Sequence, residues 1–570
     1  MRNVPMAPLP SVKAVLILFA TVVPGTLSRP ALAEVRFANV FSGNMVLQQE
    51  KPIPIWGLAD PGQPVEVTFG EETDSATADK EGHWSVDFSA REASFDPIRL
   101  SVKSGDKVVI HENILIGEVW ICGGQSNMAP AGHHFADLEL PCADSDGVRY
   151  TRVDAGIAAA PAEDLKARDG WMPLVAGQME LRRISPVAYY FGIRLNRFLK
   201  VPIGIINTSV GGTIAEVWAS PESLRAIPQL KGINEHLGKD LGAFFNGTIV
   251  PLSKLRVRGA LFYQGENNTF DLYETYAYSF PCVIRSWRKA FGNDNLPLGI
   301  ITLAGNKGMN FEPNPEGEMT HRHSYTHIRD VHFRTFRSTP NTGLIAIHDL
   351  GEDDMHPGCK RDVGERSARW ALATVYGFAK KSTRDGGVYH TAPIYREMKV
   401  DGDKVLLYFD YDPTVDDRRA GKWYKRLPLP RRARVYRGFI IAGEDRRFYP
   451  AQAKVRAVED DKDDIRQECL EVWSEDVPDP VAVRYAWENQ PLANAYGLHG
   501  IPVAPFRTDD WPFIRAEPSW APDLEQRKTD NEHTSKQNEQ WRRERQIGEL
   551  KRKLRSLGVD VPLSQPPAEQ

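Results

Sequence analysis

The sequence has few cysteines, no excess of positive charge and, beyond its N-terminal segment, no long apolar run. Its net charge of −4 argues against a nucleic-acid-binding protein, which would carry a basic surface. The mature region contains no stretch of about 20 apolar residues, so we expect no membrane span there. An odd, low number of cysteines leaves at least one unpaired or bonded to another chain and excludes a fold that depends on disulfides. The cysteines are Cys122, Cys142, Cys282, Cys359 and Cys469.

The N-terminus has the pattern of a secretory signal. Arg2 and Lys13 precede an apolar run over residues 14–23, and an A-x-A cleavage site ends at Ala33. The sequence therefore predicts a signal peptide over residues 1–33 and a mature protein that is secreted or periplasmic. An uncleaved anchor is the alternative.

The remaining chain divides where its hydrophobic pattern changes. With 570 residues, 41% of them apolar, it is long enough for two to four domains. Period-two alternation between Gly and Pro turns predicts a β-sandwich domain over 34–115. The β pattern returns in a β-rich region over 386–520, where Asp401-Gly402 favours a hairpin turn. Residues 521–570 form a highly charged tail that could hold one helix.

Residues 116–385 have a different pattern, in which short β-branched runs alternate with helical segments. One helix is clear, because Ser185 can cap it and Pro186 suits its first position. Such alternation predicts an α/β fold of three layers, with a mostly parallel sheet covered by helices on both faces. Ligands of such sheets bind beyond the carboxyl ends of the strands. The predicted strands are 119–121, 203–206, 260–263, 298–301 and 344–347.

The first of these strands runs into Gly123-Gly124-Gln125-Ser126, which places a serine at a strand end after two glycines. A serine there can point its Oγ out of the sheet towards a substrate carbonyl, as a nucleophile on a strand-to-helix turn does. The alternative is an ordinary loop serine that caps the next helix.

Two more blocks that could contact a substrate follow other strands. In the block 207–213, the backbone N–H groups at Gly211-Gly212 can stabilise an oxyanion. The block 262–268 carries amide side chains that can donate to an oxyanion or orient a sugar hydroxyl. Taken singly, the first could be a tight turn and the second a polar loop.

A fourth block, 351–357, contains the candidate general base. Histidine is the usual base for a serine, and His356 follows Asp353 at a D-x-x-H spacing that suits an orienting carboxylate. A surface Asp/His pair is the alternative. Four such blocks at four strand ends of one sheet are nevertheless better explained by a shared site than by chance.

The four blocks resemble those of SGNH hydrolases, and most closely the sialate O-acetylesterase family of carbohydrate esterases. The resemblance runs from Phe41 to Asp509 and so covers nearly all of the mature chain except the tail. After the serine the chain continues with Ala129-Pro130 where the family often has Glu-Met-Pro. The matching motifs are Gly124-Gln125-Ser126-Asn127-Met128, Ser209-Val210-Gly211-Gly212-Thr213, Tyr263-Gln264-Gly265-Glu266 and His356-Pro357.

The resemblance implies a three-layer SGNH-type domain and a serine esterase without a cofactor. Its substrate would be sialic acid or another O-acetylated carbohydrate, cleaved through an acetyl-serine intermediate. Ser126 would be the nucleophile and His356 its base. The spacing selects Asp353 as the supporting carboxylate, with Asp354 or no carboxylate as alternatives. The implied oxyanion donors and substrate-binding residues are the N–H groups of Ser126 and Gly212, the side chain of Gln264, and Gln125, Asn127 and Glu266.

Two other functions stay open at this point. A carbohydrate-binding protein could keep the SGNH scaffold without catalysis, and an esterase could act on non-carbohydrate acyl groups, although no broad apolar lid is evident near Ser126. No recognised ligand motif supports a metal site, so the histidines around 321–332 are expected on a polar helix face near the rim of the active site. We expect Trp218 to belong to the core. The histidines concerned are His321, His323, His327 and His332.

Overall fold

The structure is a computed structural model, and its described residues leave several of the predicted features untested. The signal peptide, the charged tail, Cys142, Asp353 and Asp354 lie outside them. The described residues are 35–130, 147–154, 156–168, 170–175, 183–306, 324–351, 355–379, 387–411, 416–419, 422–425, 427–429, 435–460, 465–497 and 499–511.

The N-terminal region is all β, and its apolar residues alternate as predicted. Strands β1, β3 and β6 form one antiparallel sheet, while β5, β4, β7, the first half of β8 and β2 form a second. The alternating residues Val65, Val67 and Phe69 on β4 are buried. The strands are β1 Arg36–Phe37, β2 Val46–Gln48, β3 Ile53–Leu58, β4 Pro64–Phe69, β5 Glu72–Thr77, β6 His83–Phe88, β7 Ser94–Ser104 and β8 Lys107–Gly124.

Strand β8 connects this region to the central sheet. Its first residues alternate between exposed and half-buried positions, whereas the rest of the strand is buried on both faces. This change in burial along a strand is typical when one end borders solvent and the other passes between two helical layers. The predicted boundary between residues 115 and 116 therefore falls inside one continuous strand, and a single hydrophobic core extends through both regions.

Six parallel strands form the centre of the molecule, in the order β9-β12-β8-β13-β14-β15. The short strands β10 and β11 pair antiparallel with β9. Because β12 and β13 flank β8, the three loops that follow these strands meet at the same edge of the sheet. The additional strands are β9 Val148–Asp154, β10 Ala167–Arg168, β11 Met172–Pro173, β12 Ile203–Asn207, β13 Gly259–Tyr263, β14 Leu298–Ile301 and β15 Thr342–Ile345.

Helices cover both faces of this sheet, which gives the predicted three layers. On one face Trp120 packs against Phe191 of α1 and Trp370 of α8; on the other, Phe262 packs against Trp287 of α6. The helices are α1 Pro186–Leu199, α2 Pro221–Arg225, α3 Lys231–Leu237, α4 Val250–Leu252, α5 Asn268–Asp271, α6 Tyr273–Ala290, α7 Ser324–Ser338 and α8 Lys360–Trp370. Short 3₁₀ or π turns are Ala215–Trp218, Pro228–Leu230, Gly238–Asp240, Phe245–Ile249, His348–Leu350 and Ala371–Val375.

The C-terminal region contains two further sheets, whose core also includes Phe333 of α7 and Ala346 after β15. Strands β16, β17, β23, β19, β18 and β22 form one sheet, and β21, β20, β24 and β25 form the other. The strands are β16 Ile394–Asp401, β17 Lys404–Asp410, β18 Asp416–Arg419, β19 Lys422–Lys425, β20 Phe439–Ala442, β21 Phe448–Pro450, β22 Gln452–Asp460, β23 Ile465–Trp473, β24 Ala482–Tyr485 and β25 Phe506–Arg507.

Two local predictions are confirmed by the backbone. The Ser185 hydroxyl accepts a hydrogen bond from the N–H of Ala188 at 3.3 Å, and Pro186 is the first residue of α1. Strands β16 and β17 form the expected hairpin, with Gly402 at φ +62° in its turn. In both places the local residue types satisfy backbone groups or backbone angles without help from distant contacts.

Candidate active site

Ser126 follows the carboxyl end of β8, and its position depends on the two glycines before it. Gly124 has φ +128°, and a Cβ there would lie 2.0 Å from the carbonyl oxygen of Tyr263. A Cβ on Gly123 would lie 2.6 Å from the ring of Trp287. Only residues without a side chain let β8 pass so close to its neighbours and then turn, which leaves Ser126 half-buried at the sheet edge.

His356 lies within hydrogen-bonding distance of this serine. Its Nε2 is 2.8 Å from Ser126 Oγ, although 230 positions separate the two residues. His356 is exposed, in the loop that follows β15. In this geometry the neutral imidazole can accept the hydroxyl proton through Nε2. Asp353 and Asp354, the expected supporting carboxylates, lie outside the described residues.

The glycine block after β12 packs against Ser126. A Cβ on Gly211 would be 3.4 Å from Ser126 Cβ. Gly212 has φ +73°, and no atom lies within 4 Å of the position that its Cβ would take. Within the described part of the chain, neither the N–H of Ser126 nor that of Gly212 donates a hydrogen bond. One unused donor thus belongs to the serine itself and another to the loop that contacts it, as an oxyanion site requires.

Gln264 lies in the same region but directs its amide group into the protein, with 0% of the residue exposed. Its Nε2 donates to the carbonyl oxygen of Thr213 at 3.1 Å and to Oδ1 of Asn268 at 2.6 Å, and its Oε1 accepts from the Tyr276 hydroxyl at 3.0 Å. Both amide hydrogens are therefore used. In this arrangement Gln264 holds the glycine loop at Thr213, and the expected donation to an oxyanion would require the side chain to turn.

Gln125, which was expected to bind substrate, also faces inward. Its backbone N–H donates to the carbonyl oxygen of Tyr263 at 3.0 Å, and its Oε1 accepts from the backbone N–H of Asn267 at 3.3 Å. These contacts join the loop after β8 to the loop after β13. The side chain fixes the relative positions of two loops that border the serine.

Asn127 and Glu266 are buried together beneath Ser126 and His356. Asn127 is 1% exposed and Glu266 2% exposed. The Asn127 Nδ2 donates to Glu266 Oε1 and, at 2.9 Å, to the carbonyl oxygen of Met355, the residue before His356. Burial raises the pKa of Glu266, and its hydrogen bond from Asn127 opposes that rise. The structure therefore brings both residues to the site but places them behind the reacting groups.

A second group of buried polar side chains supports Gln264 from behind. Asn268 Nδ2 donates to Glu216 Oε2 at 3.0 Å, and the Tyr276 hydroxyl lies 2.9 Å from Nε2 of His332. Burial raises the pKa of Glu216 and lowers the pKa of His332 to about 3. His332 is therefore neutral at physiological pH and can take part in this network without a counter-charge.

The histidines of α7 are not on a polar helix face, so that prediction was wrong for the two that are described. His327 and His332 are buried, and burial lowers the pKa of each to about 3. No group of three or more His, Cys, Asp or Glu residues that could hold a metal ion occurs among the described residues. Trp218 is fully buried, which confirms its expected place in the core.

Sequence reasoning missed the residue that completes this buried layer. Lys360, the first residue of α8, is 6% exposed, and its Nζ donates to Asn127 Oδ1. A lysine at the start of a charged helix gives no sign of burial.

Comparison with known proteins gives a family for this arrangement. A family model described as a carbohydrate esterase, sialic acid-specific acetylesterase, matches residues 116–372, which contain the whole candidate site. Over this domain the chain matches the sialate O-acetylesterase family. It is accordingly a carboxylic-ester hydrolase, and the family supports an O-acetyl esterase activity.

Individual relatives extend this assignment beyond the matched domain. The sialate O-acetylesterase of Homo sapiens is 29% identical over 416 residues, which are 66% of this chain and 76% of that protein. That of Rattus norvegicus is 26% identical over 458 residues, 69% of this chain and 82% of the relative. The crystal structure of a carbohydrate acetylesterase from Xanthomonas citri aligns with a TM-score of 0.71 at 29% identity, covering 84% of this chain and 100% of that one.

Across the described ranges, no helix is both long and apolar enough to cross a bilayer.

Proposed function

We propose that this protein is a secreted serine esterase that removes O-acetyl groups from a carbohydrate, with Ser126 as nucleophile and His356 as general base. The distance of 2.8 Å between Ser126 Oγ and His356 Nε2 carries the proposal. A non-catalytic carbohydrate-binding protein would have no use for a serine hydroxyl aligned with an imidazole at a strand end. The relatives' names, which specify sialate and carbohydrate acetyl groups, support the substrate class.

In the first half of the reaction, Ser126 Oγ bonds to the acetyl carbonyl carbon while its proton passes to His356 Nε2. The carbonyl oxygen becomes an oxyanion that the N–H groups of Ser126 and Gly212 can stabilise. The bond from the carbonyl carbon to the sugar oxygen then breaks, and that oxygen takes the proton from Nε2. A free sugar hydroxyl and an acetyl-serine result.

In the second half, water replaces the sugar. His356 Nε2 takes one proton from the water while the water oxygen bonds to the acetyl carbon. The bond between that carbon and Ser126 Oγ breaks, acetic acid is released, and the proton returns from Nε2 to Oγ. No cofactor takes part in either half, and a carboxylate in the 353–354 region would orient the imidazole.

The decisive experiment measures acetate release over a panel of O-acetylated sugars, with sialic acids acetylated at different hydroxyls alongside acetylated xylan and pectin fragments. Release should fall by about 10³-fold or more in Ser126→Ala while its melting temperature matches that of the wild type. Mass spectrometry of acid-quenched turnover should find one acetyl group on the peptide that contains Ser126. Equal acetate release by wild type and Ser126→Ala would rule out this mechanism.

Export is a separate part of the proposal, since it rests on the residues before Glu34. The full-length chain expressed in a secreting host should appear outside the cytoplasm, and N-terminal sequencing should begin near Glu34. Retention of Arg2 in the exported or membrane fraction would instead support an uncleaved anchor.

A further inference from the structure

A buried amide, the side chain of Asn127, binds the loop that carries His356. Its Nδ2 donates to the carbonyl oxygen of Met355 at 2.9 Å, directly before His356. Because Asn127 also follows Ser126 in the chain, a single side chain joins the backbone of the serine to that of the histidine. The distance between the two reacting atoms therefore depends on how this amide is oriented.

The amide has an ammonium group on one side and a backbone carbonyl on the other, and together they permit one orientation. Lys360 Nζ donates to its Oδ1, and the carbonyl oxygen of Met355 accepts from its Nδ2, as Glu266 Oε1 also does. An ammonium group can only donate, and a carbonyl oxygen can only accept. Rotating the amide by half a turn would place its N–H₂ group against the ammonium and its oxygen against the carbonyl oxygen.

The burial of the three side chains gives this arrangement its strength. Asn127, Glu266 and Lys360 are all buried, and charge-assisted hydrogen bonds are stronger where water is excluded. The Lys360 ammonium also lies 5.8 Å from the centre of the Tyr263 ring, with which it can form a cation–π interaction. Glu266 Oε2 has no hydrogen-bond partner among the described residues, so the hydrogen-bonding capacity of this carboxyl group is only partly satisfied.

We propose that Lys360 is a positioning residue, whose ammonium locks the Asn127 amide and thereby holds His356 Nε2 at the Ser126 hydroxyl. The Lys360 ammonium contacts the Asn127 amide and the Tyr263 ring. Its contribution is to the alignment of the base, and it rests on the proposed function of Ser126 and His356. Misplacing a catalytic group by about 1 Å can cost about 100-fold in rate.

The test compares the steady-state kinetics of aryl acetate hydrolysis in matched variants of the full chain. Lys360→Met keeps the length of the side chain and removes the ammonium, and we expect kcat to fall by about 10- to 100-fold with KM changed by less than about twofold. Arg361→Met is the control, because Arg361 is the exposed next residue of the same helix. It should retain the kcat of the wild type.

A double variant separates positioning from general stability. Lys360→Met alone removes a positive charge that favours the ionised form of the buried Glu266, and the variant could lose stability for that reason. Lys360→Met with Glu266→Gln removes both charges, so its melting temperature should return towards that of the wild type. Since the amide can now turn over, kcat should stay at least about 10-fold low. Recovery of kcat together with the melting temperature would reduce Lys360 to a structural role and overturn the proposal.

The remaining outcomes are also decisive. If the wild type shows Ser126-dependent hydrolysis and Lys360→Met is equally active, only the positioning role fails. If Lys360→Met does not fold, the double variant alone decides between the two outcomes above. If the wild type itself shows no Ser126-dependent hydrolysis, the proposed function fails and the positioning role fails with it.

Discussion

Both ends of the central sheet bury carboxylates, and Glu118 at the amino end differs from Glu266 at the carboxyl end in its hydrogen-bond partners. At the amino end, Glu118 is 0% exposed and accepts from Arg258 Nε at 2.6 Å and Nη2 at 2.8 Å. Gln48 Nε2 and the Tyr376 hydroxyl donate to it as well, at 3.2 Å and 3.1 Å. The hydrogen bonds that Arg258 donates to Glu118 raise the pKa of Arg258. Charge and hydrogen-bonding capacity are both satisfied there.

At the carboxyl end, Glu266 is only half paired. One oxygen accepts from Asn127, the other has no hydrogen-bond partner among the described residues, and burial raises the pKa of the group. A buried ion pair that is complete holds a structure together, whereas an incomplete one is maintained where it orients a functional group. If the proposed function is correct, the comparison predicts that the amino end of this sheet serves folding and the carboxyl end serves catalysis.

Removing the base should produce the largest effect, and only on catalysis. His356→Ala takes away the proton acceptor of Ser126, so kcat should fall by about 10³- to 10⁴-fold. Because His356 is exposed, the melting temperature should stay within about 2 °C of the wild type. Stopped-assay acetate release and thermal denaturation measure the two quantities. A large loss of stability would mean that this end of the sheet also serves folding.

Removing the cation at the opposite end should have the reverse effect. Arg258→Met leaves Glu118 buried without its ion pair, which should lower the free energy of unfolding by about 3–5 kcal/mol. The kcat of the molecules that remain folded should change by less than about twofold. Urea denaturation measures the first effect and active-site titration corrects the second. Arg256→Met, at an exposed position two residues away, should cost less than about 0.5 kcal/mol.

Acid should destabilise the catalytic end through a histidine that is buried neutral. The pKa of His332 is lowered by burial to about 3, so between pH 6.5 and 3 the unfolded chain binds a proton that the folded chain does not. Stability therefore falls as the pH falls, by about 1.4 kcal/mol per pH unit for this group. In His332→Gln the slope of unfolding free energy between pH 6 and 5 should be smaller by that amount. His236→Gln, at an exposed position, should keep the wild-type slope.

The smallest effect on kcat should come from replacing Gly212, and Gly62 in the N-terminal β region provides the comparison. Gly212 and Gly62 have φ of +73° and +76°, and a Cβ on either meets no atom within 4 Å. Alanine at each should therefore cost the same backbone strain, about 1–2 kcal/mol. Only Gly212→Ala should also lower kcat, by about tenfold, because the oxyanion donor moves. Equal kcat values in the two variants would contradict a role for the Gly212 N–H.

Much of the site was predictable because local residue types mark the ends of strands. Local backbone geometry explains three of these signals. They are the glycines before Ser126, the pair at Gly211-Gly212 and the helix cap at Ser185. Such signals identify turns and caps without a fold. They also located the four loops that the parallel sheet gathers at one edge.

Other features were not predictable, because they depend on which distant segments meet. Gln264 and Asn127 were expected to face a substrate, yet buried acceptors and donors from other loops turn them inward. His327 and His332 appear in a polar stretch of sequence but lie against the core. Glu118 and Arg258 are 140 positions apart in the sequence, so no local pattern predicts their ion pair.

By itself the sequence determined the alternation of strands and helices, the turns that end the strands, and the presence of a hydroxyl and an imidazole among them. Those properties follow from periodicity and from the backbone preferences of single residues. Only the tertiary structure decided which polar side chains face the substrate and which are buried as supports. Burial and hydrogen-bond partners are set by packing between segments hundreds of residues apart, and packing exists only once the chain has folded.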